Sequence, residues 1–401
     1  MNMAWLQHPH VQTLLAAFGD VPLRFVGGCV RDSLSGRTVA DKDAATPATP
    51  QQVMELLKAA GLKAVPTGIE HGTVTAVVEG EPFEITTLRR DVACDGRHAQ
   101  VAFTDDWQED AARRDFTMNA LYCDAQGQIY DYFDGEADAR NGLVRFIGDP
   151  QQRIREDGLR ILRFFRFFAT HGNGEADAAS LAACQAQAQQ LKQISGERIR
   201  SEMLKLLAAA DPLPALEGMV KTVLPVVLPA HDYQVMPLAL PDPACDQLAL
   251  LRLALLLRQH PQPEAAVARC IKAWQMSRRQ QMLLHLLGSH KPVHLPESAA
   301  GWMPLRRHHR WEDFEALVWL EASEQRWSAE VVKQQLAELV EMPVPQIPLR
   351  GGDLKQYAGI GEGSAMGEML RRAERYWEAK DYKPTRMDLV HYVKSLIPPK
   401  P

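Results

Sequence analysis

The feature that most constrains this chain is a change of hydrophobic rhythm at Pro150. Before it, short β-branched runs alternate with amphipathic stretches. After it, only the 3.6-residue helical period remains. His10–Phe18 predicts a short helix, Leu23–Val26 a strand ending at Gly27-Gly28, and Val39–Ala44 a second strand stopped by Thr46-Pro47. Gln51–Ala60, with Val53, Leu56, Leu57 and Ala60 on one side and Gly61 behind it, predicts an amphipathic helix. Gly72–Glu79 and Pro82–Leu88, joined at Gly80-Glu81, predict a hairpin. Arg89–Trp107 has no period and reads as a long loop of the functional or mobile kind. Beyond Pro150, helices are predicted over Arg153–Ala169, Ala178–Gln193, Glu197–Ala209, Gln247–Arg258, Glu264–Trp274, Trp311–Glu321 and Ser328–Glu341. Leu224–Pro243, with five prolines, and Met342–Pro348, with three, read as linkers or sharp turns. The expected fold is α+β: a small α/β head with a mixed sheet over 1–150, then an elongated all-helical neck (151–222), body and tail (223–401).

At 401 residues, 46% hydrophobic and 24% charged, the chain reads as two or three folded domains rather than a disordered or fibrous one. Six cysteines show no C-x-x-C spacing, and no histidine cluster completes a zinc pattern, so reduced thiols in a cytoplasmic protein are expected. The N-terminus has no basic and apolar signal-peptide regions. The longest apolar run, Leu248–Leu257, is broken by Arg252 and is too short for a bilayer, so no membrane partner is expected. The net charge of −5 argues at first against a nucleic-acid partner. It is unevenly spread: residues 1–150 carry 13 basic and 22 acidic side chains, a net of −9, and the remainder a net of +4.

Asp41-Lys42-Asp43 is the sharpest local feature. On a strand, residues two apart share a face, so the two carboxylates would lie side by side and invite a cation. Such hard oxygen ligands suit Mg²⁺. A solvated turn is the plain alternative for an isolated D-x-D. Gly27-Gly28 lies at a strand end before the helix-like Cys29–Leu34, where glycine lets a phosphate approach the backbone; a tight strand-to-helix turn explains it equally well. Glu84 projects from the Phe83–Thr87 strand opposite Phe83 and Ile85, as a third metal ligand or as a surface residue.

Gly27-Gly28-Cys29-Val30-Arg31-Asp32, Asp41-x-Asp43 and Glu84 together resemble the DNA polymerase β nucleotidyltransferase superfamily. Arg113–Ala120 and Glu156–Arg163, with Ser195–Ile199 behind them, narrow the resemblance to class II bacterial CCA tRNA nucleotidyltransferases and the related poly(A) polymerases. Gly352-Asp353-Leu354, with Gly359, Gly363 and Gly367, is similar to a segment of that family's tail. The resemblance implies a catalytic head, a neck that recognises the nucleotide base, and a body and tail that bind tRNA. It implies untemplated addition of C, C and A to the tRNA 3′ end from CTP and ATP. Asp41 and Asp43 would hold two Mg²⁺ ions with Glu84 beside them, while Gly27, Gly28, Arg31, Arg113 and Arg114 would meet the triphosphate. Asp115 would accept from a ribose 2′-hydroxyl, and Asn119 and Arg163 would complete the nucleotide site.

Asp157 and Arg160, three apart on the predicted helix, would be neighbours. By resemblance they read a base edge, Arg donating and Asp accepting. From the residues alone, a charged face stitched by salt bridges explains them as well. Asp95-Gly96-Arg97-His98 resembles part of the family's flexible loop, which helps the site switch from CTP to ATP. Arg306–Arg310 and Arg371, Arg372 and Arg375 are candidate RNA-backbone contacts. Lys42 departs from the family, where an apolar residue is usual; on a strand it faces away from the metals and snorkels or pairs with an acid. A poly(A) polymerase, an enzyme adding only CC or only A, and an inactive RNA-binding scaffold are the alternatives.

Overall fold

In the computed structural model the described residues are 3–95, 98–234, 247–291 and 299–397. They form two compact units, one of the described residues from 3 to 234 and 247 to 289, the other of those from 290 to 397. The fold is α+β, and no described helix is long and apolar enough to cross a membrane.

The first unit opens with the head. Its strands are β1 (Arg24–Val26), β2 (Ala44–Thr46), β3 (Lys63–Gly68), β4 (Thr73–Val78), β5 (Glu81–Thr87), β6 (Arg89–Asp95), β7 (His98–Phe103), β8 (Tyr122–Cys123) and β9 (Ile129–Tyr130). Seven of them make a mixed sheet in the order β3-β4-β5-β2-β1-β8-β9. The one parallel pair is β2 with β5, in the register Ala44↔Ile85. Helices Pro9–Phe18 and Pro50–Ala59 bury Val11, Leu14, Phe18, Val53 and Leu57. Thr49 and Gln52 close a capping box at the start of the second.

Two expectations in the head need correction. The predicted strand Val39–Ala44 is displaced: β2 begins at Ala44, and Asp41-Lys42-Asp43 lie in irregular backbone before it. The reason is burial. All three residues of β2 are buried between β1 and β5, which Ala-Ala-Thr tolerates and three adjacent charges do not. The predicted loop Arg89–Trp107 is largely the two-stranded sheet β6-β7. Its ladder is made by backbone groups, and a sequence such as Arg89-Arg90-Asp91 carries no apolar alternation to announce it. Gly96 and Arg97 of the expected switching loop lie outside the described residues.

The helical part of the first unit begins at Pro150. The predicted helix Arg153–Ala169 is in fact two, Pro150–Glu156 and Arg160–His171. Asp157, with φ −151° and ψ 107°, ends the first helix. Its carboxylate then accepts from Leu159 N–H at 3.1 Å. An Asp-Gly pair satisfies the backbone locally and breaks an otherwise periodic stretch. Helix Arg160–His171 buries Ile161, Leu162, Phe164, Phe165 and Phe167. Further helices follow at Ala178–Ala186, Gly196–Leu207, Leu213–Met219, Leu248–Arg258, Pro263–Ala273 and Arg278–Ser289, the third and the last unforeseen. Arg252 is 2% exposed and donates to the carbonyls of Leu207 and Ala209 at 2.6 and 2.5 Å, capping helix Gly196–Leu207. The proline-rich Leu224–Pro243 contains one helical turn, Leu224–Val227; residues 235–243 lie outside the described set.

The second unit packs helices Trp311–Glu324 and Ala329–Glu341 around Trp302 and Phe314. Three helices not foreseen, Gly351–Ala358, Ser364–Glu378 and Arg386–Ser395, enclose a smaller core of Leu354, Ala373, Trp377, Leu389 and Val393. Gly359, with φ +67°, caps the first of these. Arg307 is not an available RNA contact: it is nearly buried and ion-paired with Glu374 and Glu378 inside this unit.

Candidate active site

A cleft of about 600 Å³ opens in the first unit. Gly27, Gly28, Arg31, Asp43, Glu84, Arg113, Arg114, Asp115, Asn119, Asp157, Arg160 and Arg163 all line it. Of the candidate residues only Asp41 is outside its wall, exposed in the irregular backbone two residues before Asp43.

The sheet explains the carboxylates. Val26 N–H donates to Asp43 C=O at 2.8 Å, fixing Asp43 at the mouth of β2. Continuing the parallel register one residue back from Ala44↔Ile85 brings Asp43 opposite Glu84. Along β5, Phe83 and Ile85 are buried and Glu84 is exposed, the alternation that the sequence implied. Asp43 and Glu84 are thus brought together by two strands, and Asp41 and Asp43 by chain connectivity, not by strand pleat. The Asp43 carboxyl is pushed up to about 6, by desolvation first and then by the like charges of Glu84 and Asp41, against a smaller opposing effect of Arg114. Oxygen donors that repel one another in this way fit a hard divalent cation.

Gly27 has φ +73° and caps helix Gly28–Leu34, a conformation that favours glycine. The arginines are held by buried acids. Asp110, 1% exposed, accepts from Arg113 Nε at 2.9 Å with one oxygen, and from Tyr122 OH at 2.7 Å and Arg114 Nη2 at 3.1 Å with the other. Burial opposes its charge, but Arg114, Arg113 and the Tyr122 hydroxyl hold the carboxyl down at about 2. Asp115 accepts from Arg163 Nε at 2.7 Å, Asn119 Nδ2 at 3.1 Å and Phe116 N–H at 2.9 Å. Burial would raise its pKa, yet the Arg163 charge and these donors lower it. The relay continues: Asn119 Oδ1 accepts from Arg31 Nη1 at 2.7 Å, and Arg31 Nε donates to Asp32 at 2.9 Å.

Asp157 and Arg160 both reach the cleft, but not as a mutual pair on one helix. Arg160 Nη1 donates to Glu156 Oε2 at 2.6 Å and to Arg153 C=O at 2.8 Å. Asp157 Oδ2 accepts from Arg198 Nη2 at 2.7 Å. Arg153 in turn donates to the carbonyls of Arg113 and Arg114 at 2.6 and 2.7 Å, tying this helix junction to the arginine pair.

Arg89, Arg198 and Phe167 also line the cleft and were not singled out as site residues in the sequence; nor was Asp110 behind it. Asp110 had a signal, lying three and four residues before Arg113 and Arg114. Arg198 lay within the noted Ser195–Ile199 string. Arg89 and Phe167 had none. Lys42 pairs with an acid as expected, its Nζ donating to Glu81 Oε1 at 2.6 Å. Seven arginines, four from the head and three, Arg160, Arg163 and Arg198, from beyond Pro150, face four carboxylates in the cleft wall, a guanidinium-rich lining suited to a polyphosphate.

The fold and this cleft define a nucleotidyltransferase head. Residues 23–145 match the Poly A polymerase head domain, and residues 176–234 match a probable RNA and SrmB-binding site of polymerase A. The mitochondrial CCA tRNA nucleotidyltransferase 1 of Mus musculus is 34% identical over 97% of this chain and 93% of its own. The CCA-adding enzyme of Lactiplantibacillus plantarum is 32% identical over 90% and 89%. The crystal structure of the Bacillus stearothermophilus CCA-adding enzyme in complex with CTP superposes with a TM-score of 0.71 at 24% identity, covering 99% of this chain and 98% of that one. The chain belongs to the CCA tRNA nucleotidyltransferase family, whose members are in general divalent-metal dependent.

Proposed function

We propose that this cleft binds one nucleoside triphosphate at a time and transfers its nucleotide to the 3′ end of tRNA, C, C and then A, without a nucleic-acid template. The observation that carries the reading is the convergence of twelve of the thirteen candidate residues, from four stretches far apart in sequence, on one arginine-rich cleft beside a strained carboxylate group. The tRNA 3′-hydroxyl attacks the α-phosphorus in line, and pyrophosphate leaves.

Arg113 and Arg114, oriented by Asp110, and Arg31, oriented by Asn119 and Asp32, present guanidinium forks to the triphosphate. Asp115, kept ionised by Arg163, is an acceptor for the ribose 2′-hydroxyl. Asp157 and Arg160 read the base edge; their outer partners, Arg198 and Glu156, leave each held in one orientation before a base arrives. Asp41, Asp43 and Glu84 would hold Mg²⁺, two ions in our reading; when bound, the metal acidifies the attacking hydroxyl and offsets charge on the triphosphate. The division into head (1–150), neck (151–222) and body with tail (223–401) assigns tRNA contact to the last part. There Arg371, Arg372 and Arg375 are exposed on helix Ser364–Glu378. Buried, unpaired thiols at Cys29, Cys123, Cys184 and Cys270 favour a reducing, cytoplasmic setting.

The test is incorporation of labelled CTP and ATP into tRNA that ends before CCA. The intact chain labels the tRNA, and Asp43→Ala labels it with neither nucleotide while still binding it. Full activity of Asp43→Ala would remove the site assignment.

A further inference from the structure

The chain carries a second set of metal donors away from the cleft wall. Sequence spacing shows no zinc pattern, but folding brings Glu81 to His8-Pro9-His10. One ring nitrogen from each histidine and a Glu81 oxygen all lie within 4.8 Å of one another. We propose that His8, His10 and Glu81 bind a single borderline-soft divalent ion of the Zn²⁺ type.

Three features support it. The donor set is two imidazoles and one carboxylate, which selects zinc-like ions over the hard cations favoured by the all-carboxylate Asp43 group. The donors stand on rigid backbone: His8 caps helix Pro9–Phe18 with Pro9 at its first position, and Glu81 opens β5 after the tight Glu79-Gly80 turn, whose φ values are +51° and +88°. The geometry is also nearly closed. His10 Nδ1 is 2.8 Å from Glu81 Oε2, and the rings of His8 and His10 meet edge to face at 4.6 Å. Tetrahedral coordination with bonds of about 2.0–2.1 Å needs donors about 3.3 Å apart, so modest side-chain rotation suffices. The ion replaces the proton shared between His10 and Glu81. Water completes the shell on the exposed side of His8.

Glu81 divides its oxygens, Oε2 toward His10 and Oε1 toward Lys42 at 2.6 Å. Monodentate binding through Oε2 therefore leaves the Lys42 pair in place. Lys42 lies between Asp41 and Asp43, so this site touches the catalytic carboxylates through one residue. The proposal does not depend on the nucleotidyl-transfer reading.

The full chain carrying Asp41→Asn and Asp43→Asn, which removes the competing carboxylate pair, is titrated with Co²⁺ and then Zn²⁺. The measured quantities are the Co²⁺ visible absorption band and the stoichiometry by calorimetry. One Co²⁺ per chain, displaced by Zn²⁺ and insensitive to excess Mg²⁺, is expected. Adding His10→Ala or His8→Ala weakens binding at least tenfold while the circular dichroism spectrum is kept. His8 is exposed but its ring also caps helix Pro9–Phe18, so His8→Asn, which keeps a capping acceptor, is the variant that separates ligation from folding and should lose binding as His8→Ala does. No saturable binding, or equal affinity in the histidine variants, overturns the site.

Discussion

Asp110 is the residue whose removal is most informative, because it touches no nucleotide in our reading yet holds two arginines that do. It is buried and accepts from Arg113, Arg114, Tyr122 and the Arg89 N–H. Its carboxyl falls from an ordinary value of 3.8 to about 2. That difference of a little under two units corresponds to about 2.5 kcal/mol of folding stability supplied by the ionised form. A depressed acid contributes this above pH 3.8 and loses it as pH falls through about 2. Asp110→Asn keeps the shape and removes the charge, so it should cost about 2–3 kcal/mol in urea unfolding at pH 7. The gap from the parent should close below pH 4. Asp110→Ala leaves two guanidinium groups without their acid and should cost about 3–5 kcal/mol. In steady-state kinetics at a temperature where both proteins are folded, Asp110→Asn should raise KM for CTP and ATP together. A misplacement of about 1 Å at the arginine forks corresponds to a fall on the order of 10²-fold in kcat/KM. A loss of stability under 0.5 kcal/mol with KM unchanged would refute the reasoning.

Three further outcomes follow from the same geometry. Asp43 is raised to about 6 by desolvation and like charges, so it opposes folding when ionised and the metal-free protein should gain stability as pH falls through 6; Asp43→Asn should remove that pH dependence, unfold at equal or higher urea than the parent, and be inactive, and a less stable variant would contradict the strain. Asp115→Ala should narrow the preference for CTP over dCTP at least tenfold, read from competition between the two; unchanged selectivity would leave Asp115 a purely structural anchor for Arg163. Arg252→Met removes two carbonyl contacts at the end of helix Gly196–Leu207 and should lower stability by about 2–3 kcal/mol in thermal melts, with nucleotide selectivity intact.

The head was legible where burial follows strand alternation. Phe83 and Ile85 in, Glu84 out, could be read directly, and the Gly80 turn marked its hairpin. Legibility failed where one charged or glycine residue decides the backbone. Asp41-Lys42-Asp43 matched a strand by position, but a doubly buried central strand cannot carry it, so β2 starts one residue later than the second carboxylate. The Asp157-Gly158 break left the period of the flanking helices almost in phase, so one helix was expected where two exist. The site residues were largely named in advance because they fall in short dense strings. Their partnerships were not: Asp110 and Glu156 act from one turn away, Phe167 from one turn past Arg163 on the same helix, and Arg198 from elsewhere in the chain. The charge count also changes meaning. The cleft wall, shared by the acidic head and the helices after Pro150, holds more arginines than acids, so net charge per domain concealed the make-up of the surface that matters.

The most direct measurement is sequencing of tRNA 3′ ends after incubation with the full chain, Mg²⁺ and all four ribonucleoside triphosphates at equal concentration. The account predicts that tRNA lacking its terminus ends in CCA and stops there, and that Arg160→Ala still extends the same tRNA but inserts G and U among the added residues. Poly(A) tails from the parent chain, or an unaltered CCA terminus from Arg160→Ala, would contradict it.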